Sequence, residues 1–118
     1  KVDRAALERL RQMSIAAIED PSEERIRGRL EWLMHRKEHV NDDLVASRQA
    51  IYAQPAMKTA IHHILALHTP EARQRYAVTP EQYRALAMPV LVLWTDHDPT
   101  ATVEVGRQLA DAIPGSRF

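Results

Sequence analysis

Pro89-Val90-Leu91-Val92-Leu93-Trp94-Thr95-Asp96-His97-Asp98 is the stretch on which the choice of fold turns. Five apolar residues follow the proline in an unbroken run with no 3.6-residue rhythm. That is how a parallel strand covered on both faces reads; a strand with one wet face would alternate instead. Such a strand needs neighbours, because its backbone N–H and C=O groups are otherwise left unpaired. Nothing else in the 118 residues reads as a convincing partner, so the chain is expected to be one part of a sheet completed elsewhere. Two other readings stay open: a weakly patterned segment pairs with the run, or the run is a short core helix.

Upstream of the run, the sequence is punctuated for helices. Asp3 can cap a helix over about residues 4–19, with Leu7, Leu10, Ala17 and Ile18 on one face. Asp20 as N-cap, Pro21 at the first helical position, and Glu23 and Glu24 in the first turn open a second helix reaching about His35. Its inward stripe is Ile26, Leu30, Leu33 and Met34. Asn41, followed by Asp42 and Asp43, starts a third helix to about Tyr52. Pro55 starts a fourth, with Met57, Ile61, Ile64 and Leu65 inward. Thr69-Pro70 and Thr79-Pro80 each read as a cap followed by a short helix. Downstream of the run, Val103 to Ala112 forms a last helix that Pro114 and Gly115 terminate. The fold class expected is α/β: a mostly helical region over residues 1–78, then a core portion over residues 79–118 made of a helix, one parallel strand, an acid-bearing loop and a core helix.

Composition narrows the function classes. Sixteen basic and sixteen acidic residues cancel, so there is no electrostatic footprint for nucleic acid or an anionic membrane surface. With no Cys, disulfides, thiolate nucleophiles and Cys-based zinc sites drop out. No apolar stretch approaches the roughly 18 residues of a spanning helix, and the charged start Lys1 to Arg4 does not resemble a signal peptide. A soluble cytoplasmic protein is expected.

In open α/β sheets, catalytic groups sit just beyond the carboxyl ends of strands, which is where Asp96, His97 and Asp98 fall. A carboxylate there can orient a histidine and stabilise its imidazolium. Asp is also a common turn residue, and that role stays open. The segment Pro89 to Trp94 followed by Thr95-Asp96-His97-Asp98 resembles the part of α/β-hydrolases in which an apolar strand ends at Trp-Gly and the acid of the catalytic triad comes three residues after the Gly. Thr95 stands at that Gly position, and the count selects Asp98 as the catalytic acid. Val103 to Ala110 and Ile113 to Phe118 resemble the family's next helix and strand start, after which the family places its catalytic His.

Asp20 to Glu24 through Leu30-Glu31-Trp32-Leu33-Met34, and Val40 to Arg48, resemble the lid of hydrolases that cleave ring-fission (meta-cleavage) products of aromatic degradation. In that group a lid Arg binds the substrate's carboxylate, and Arg48 occupies the matching position. Leu33 falls where the family has an apolar pocket residue, although core packing also explains it. The spacing of Leu44, Val45, Ile51 and Tyr52 around Arg48 puts its guanidinium on an apolar side, where a cation calls for an anion. Snorkelling to water, or pairing with a structural carboxylate, is the alternative. The resemblance implies cleavage of a carbon-carbon bond in a 2-hydroxy-6-oxo-dienoate by water, with a small carboxylate substrate, no metal or organic cofactor, and a homo-oligomeric parent. The four serines, Ser14, Ser22, Ser47 and Ser116, lack the Gly-x-Ser-x-Gly pattern, so these residues alone are expected to be catalytically silent. Competing readings are an esterase, epoxide hydrolase or haloperoxidase-like enzyme, and a helical interaction module without chemistry.

The remaining candidates are weaker. His35 and His39 are four apart but lack the Glu of a zincin motif. His62, His63 and His68 read as ordinary helix residues. Arg25, Arg27 and Arg29 alternate faces and are offset by Glu23, Glu24 and Glu31, as on a solvated surface. Gly28, mid-helix, is a place for close packing.

Overall fold

Local capping chemistry sets most of the helix starts. The computed structural model describes residues 2–66 and 69–118. In it, α1 (Arg4–Glu19) begins where the Asp3 carboxylate accepts from the Ala6 N–H at 3.0 Å. α2 (Glu23–Leu33) takes Ser22 as its N-cap rather than Asp20. Asp20 instead closes α1, its N–H donating to the Ala16 carbonyl, while its carboxylate accepts from Arg25 Nε at 2.8 Å. α3 (Asp42–Tyr52) opens on Asn41, whose side chain accepts from the Leu44 N–H at 2.9 Å. α4 (Pro55–Ala66) follows, then α5 (Pro70–Tyr76), capped by the Thr69 hydroxyl. α6 (Pro80–Arg84) carries a reciprocal capping box between Thr79 and Gln82, and α7 (Val103–Ala112) ends the series. His68 and Lys1 lie outside the described residues.

The first four helices form a body with its own core. α1 packs on α2 and α4, α2 on α3, and α3 on α4. Ala17, Ile18, Ile26, Leu30, Val40, Val45, Tyr52, Ile61 and Leu65 are buried together. At about 25 cal/mol per Å² of apolar surface removed from water, these side chains dominate what holds the helices in place. The expected stripes run slightly too wide, since Met34 and Ile64 are exposed. Buried Ser14 donates to the Leu10 carbonyl at 2.7 Å and accepts from Arg29 Nε at 3.1 Å, so its hydroxyl is matched both ways. Arg27 is more than a solvated charge: it donates to Glu23, to Asp42 and to the Val40 carbonyl, tying α2 to the start of α3. Gln49 Nε2 donates to the Pro21 carbonyl at 2.9 Å and fixes the α1–α2 corner against α3.

The α/β expectation is overturned. Among the described residues there are seven α-helices and no strand, and the chain is a helical protein. Residues 90–92 make one parallel bridge, between Leu91 and Arg117, in which Val92 N–H donates to the Arg117 carbonyl at 2.8 Å and Arg117 N–H to the Val90 carbonyl at 2.9 Å. A sheet needs a repeated ladder, and one bridge does not supply it. Nor is the run covered on both faces. Val92 is buried and Val90 and Trp94 half-buried against α7, while Leu91 is 68% and Leu93 85% exposed. The unbroken apolar run thus hides an alternation of environments that its composition could not show.

A second, smaller core surrounds this segment: Val92, Ala110 and Ile113, with Tyr83, Leu86, Val90, Trp94 and Leu109 packed on them. The expectation that Gly28 permits close packing fails, since a Cβ there would meet nothing within 4 Å. Gly106 has that role, lying against the Trp94 ring in the second core. No helix among the described residues is long and apolar enough to cross a membrane.

Candidate functional site

The turn from Thr95 to Thr102 leads from Trp94 into α7 and carries both candidate carboxylates. Its lower end is held by Trp94, whose indole N–H donates to the Ala101 carbonyl at 3.2 Å. Within it, Asp98 Oδ1 accepts three hydrogen bonds: from the Thr100 N–H at 2.7 Å, the Thr100 hydroxyl at 2.7 Å and the Ala101 N–H at 3.0 Å. Asp98 is thus a turn residue in the sense the sequence left open, using one oxygen. Its other oxygen, Oδ2, takes no hydrogen bond among the described residues and can accept from an incoming group. Partial burial pushes the Asp98 carboxyl up, but the hydroxyl and two N–H donors outweigh it, and the group is held below the ordinary carboxylate value. Asp98 is therefore an anion held through one oxygen, with the other unbonded among the described residues.

Asp96 differs. Its Oδ1 lies 2.8 Å from Nδ1 of the adjacent His97, and it is exposed. The hydrogen bond from His97, with the charge of that ring, holds the Asp96 carboxyl below its ordinary value. The His97 ring in turn stacks on His35 with centroids 3.6 Å apart and planes 21° off parallel.

The two carboxylates face different clefts. Asp98 lines an open cleft of about 840 Å³ against the start of α1, with Val2, Asp3, Arg4, Pro99 and Thr100. There the turn is pinned by an antiparallel bridge between Val2 and Ala101 and by the Asp3 N–H, which donates to the Thr100 carbonyl at 2.7 Å. Asp96 and His97 line a cleft of about 440 Å³ at the end of α2, with Leu33, His35, Arg36 and His39. Leu33 is half-buried at that cleft, so it touches solvent-accessible space as well as packing.

Arg48 is not brought to either cleft. It sits on the exposed face of α3, flanking the buried stripe of Val45 and Tyr52 with half-buried Gln49 between them. The sequence argument for an apolar-side guanidinium counted Ile51 as inward, whereas Ile51 is exposed. What sequence reasoning missed is the His35–His97 contact. Its two residues are far apart in the chain, and no spacing rule connects them. Among the described residues no group of three or more His, Cys, Asp or Glu side chains is placed to hold a metal ion. Comparison with family models, with characterised proteins and with solved structures finds nothing that matches this chain.

Proposed function

We propose that the chain supplies the helical cover and the orienting carboxylate of a serine-type hydrolase that cleaves a carbon-carbon bond in 2-hydroxy-6-oxo-dienoates. The observation that carries this reading is Asp98: an anion immobilised through one oxygen, open on the other, on the wall of a large cleft. An acid of a Ser-His-Asp set must stay ionised, hold one geometry and present a free oxygen to an imidazole N–H. Asp98 meets these three requirements; Asp96 also stays ionised, but it is exposed and its side-chain bond is to the adjacent His97, against three bonds that fix Asp98. The nucleophile and the catalytic histidine come from outside these 118 residues, since no Gly-x-Ser-x-Gly occurs in them. With the histidine oriented by Asp98, the serine attacks the distal carbonyl of the ketonised substrate, and backbone donors stabilise the oxyanion. The protein acts in the cytoplasm on a small carboxylate, as a homo-oligomer, with neither metal nor organic cofactor.

The test is turnover of a dienoate by the protein made from the full coding sequence. Asp98→Asn keeps the shape and removes the charge, and lowers kcat by about 10⁴-fold, the order seen when an orienting Asp of a triad is amidated. Asp96→Asn leaves kcat within about 10-fold. The reverse order of effects, or no loss in either variant, refutes the assignment.

A further inference from the structure

The helical body reaches the 95–102 turn at two points of different chemistry. At one, Val2 and Asp3 bind Thr100 and Ala101 through backbone groups, which carry no charge that pH changes. At the other, the ring of His35, just past the end of α2, stacks on the ring of His97. Histidine is the side chain whose charge ordinarily changes between about pH 5 and 8. We propose that the His35–His97 stack is a pH-operated latch: it holds the acid-bearing turn against the end of α2 while at most one ring is charged, and lets go when both are.

The charges facing the stack determine this behaviour. From the helical side, Arg36 and His39 border the same cleft; from the turn, Asp96 does. Asp96 hydrogen-bonds His97 and balances one imidazolium. A second imidazolium 3.6 Å away has no further carboxylate in the cleft to balance it, and Arg36 adds to the positive excess. Asp96 remains ionised over the range in which histidines charge, because the bond from His97 holds its carboxyl below the ordinary value. One proton is therefore tolerated and the second opens the contact. The turn then stays anchored to the helical body through the backbone contacts of Val2 and Asp3 with Ala101 and Thr100, which changes the opening of the cleft containing Leu33 without breaking the bonds inside the Asp98 turn.

Proton NMR of the 118-residue chain reads this directly, through the cross-relaxation peak between the two rings and their mutual ring-current shifts from about pH 8 to pH 5. The expected result is a strong peak at the top of the range and its loss at the bottom. In His35→Phe, which keeps a flat ring and removes one titrating group, the ring-to-ring peak persists throughout. A peak that survives to the bottom of the range in the parent chain, is absent even at the top, or disappears equally in His35→Phe overturns the latch. If His35→Phe does not fold, His97→Phe poses the same question from the other side. None of these readouts depends on catalysis, so they leave the hydrolase proposal to its own test.

Discussion

Gly106 lies so close beneath Trp94 that a Cβ built on it would sit 2.6 Å from the indole Cδ2 and 2.7 Å from Cγ. These are atoms near the root of the Trp94 side chain, which cannot swing away as the tip of a long one could. The contact sets the depth at which α7 docks on residues 90–94, and Trp94 in turn closes the acid-bearing turn through Ala101.

Gly106→Ala is therefore expected to destabilise the protein, by about 1–3 kcal/mol from forced overpacking, offset by up to about 1 kcal/mol of better helix propensity. Gly28→Ala, with no neighbour within 4 Å, keeps only the propensity gain and stabilises by up to about 1 kcal/mol. Urea denaturation of the two variants beside the parent decides the matter; the same sign for both contradicts the packing described.

The helical body should respond to truncation according to burial. Ile18, 2% exposed in the core of α1–α4, should lose about 2–5 kcal/mol as Ile18→Ala. Ile64, 49% exposed on α4, should lose well under about 1 kcal/mol as Ile64→Ala. Comparable losses at the two sites would mean that the face of α4 containing Ile64 is covered in solution.

Acid should weaken the fold through Asp98 in a definite direction. Its carboxyl is held below the ordinary value in the folded chain, so the unfolded chain binds the proton more tightly. The stabilisation is complete above the unfolded-state pKa of about 3.9 and is lost as pH falls through the folded-state value. Stability measured from about pH 6 to pH 3 should fall more steeply in the parent than in Asp98→Asn, which has no proton to take up. Parallel curves would show that the three bonds to Oδ1 do not favour the anion.

What could be read from the sequence was local. Asp3, Asn41, Thr69 and Thr79 cap helices because an N-cap needs only its own side chain and the next three N–H groups. Asp20 misled because it ends α1 and gives its carboxylate to Arg25, so that α2 starts two residues later, at Ser22, without a side-chain capping bond. The strand failed for a non-local reason. Five apolar residues specify an extended, partly buried segment, but a ladder depends on neighbours, and only Arg117 answers. The same limit explains why Gly28 drew attention instead of Gly106, whose reason for being glycine lies twelve residues away in Trp94. The position of Asp98 after the apolar run is visible in the sequence; the gathering of three donors on its Oδ1 alone depends on how the turn folds. Arg48 was placed by helical spacing alone, which is too coarse to separate the edge of a buried stripe from its centre.

The open oxygen of Asp98 is the feature on which the functional reading stands, and it can be observed without turnover. In the protein made from the full coding sequence, a histidine N–H donated to that oxygen should give a ring-nitrogen-bound proton signal well downfield of the amides. The expected result is a signal present in the parent and in Asp96→Asn and absent in Asp98→Asn. A signal that persists unchanged in Asp98→Asn, or none in the parent protein, would contradict the role assigned to Asp98.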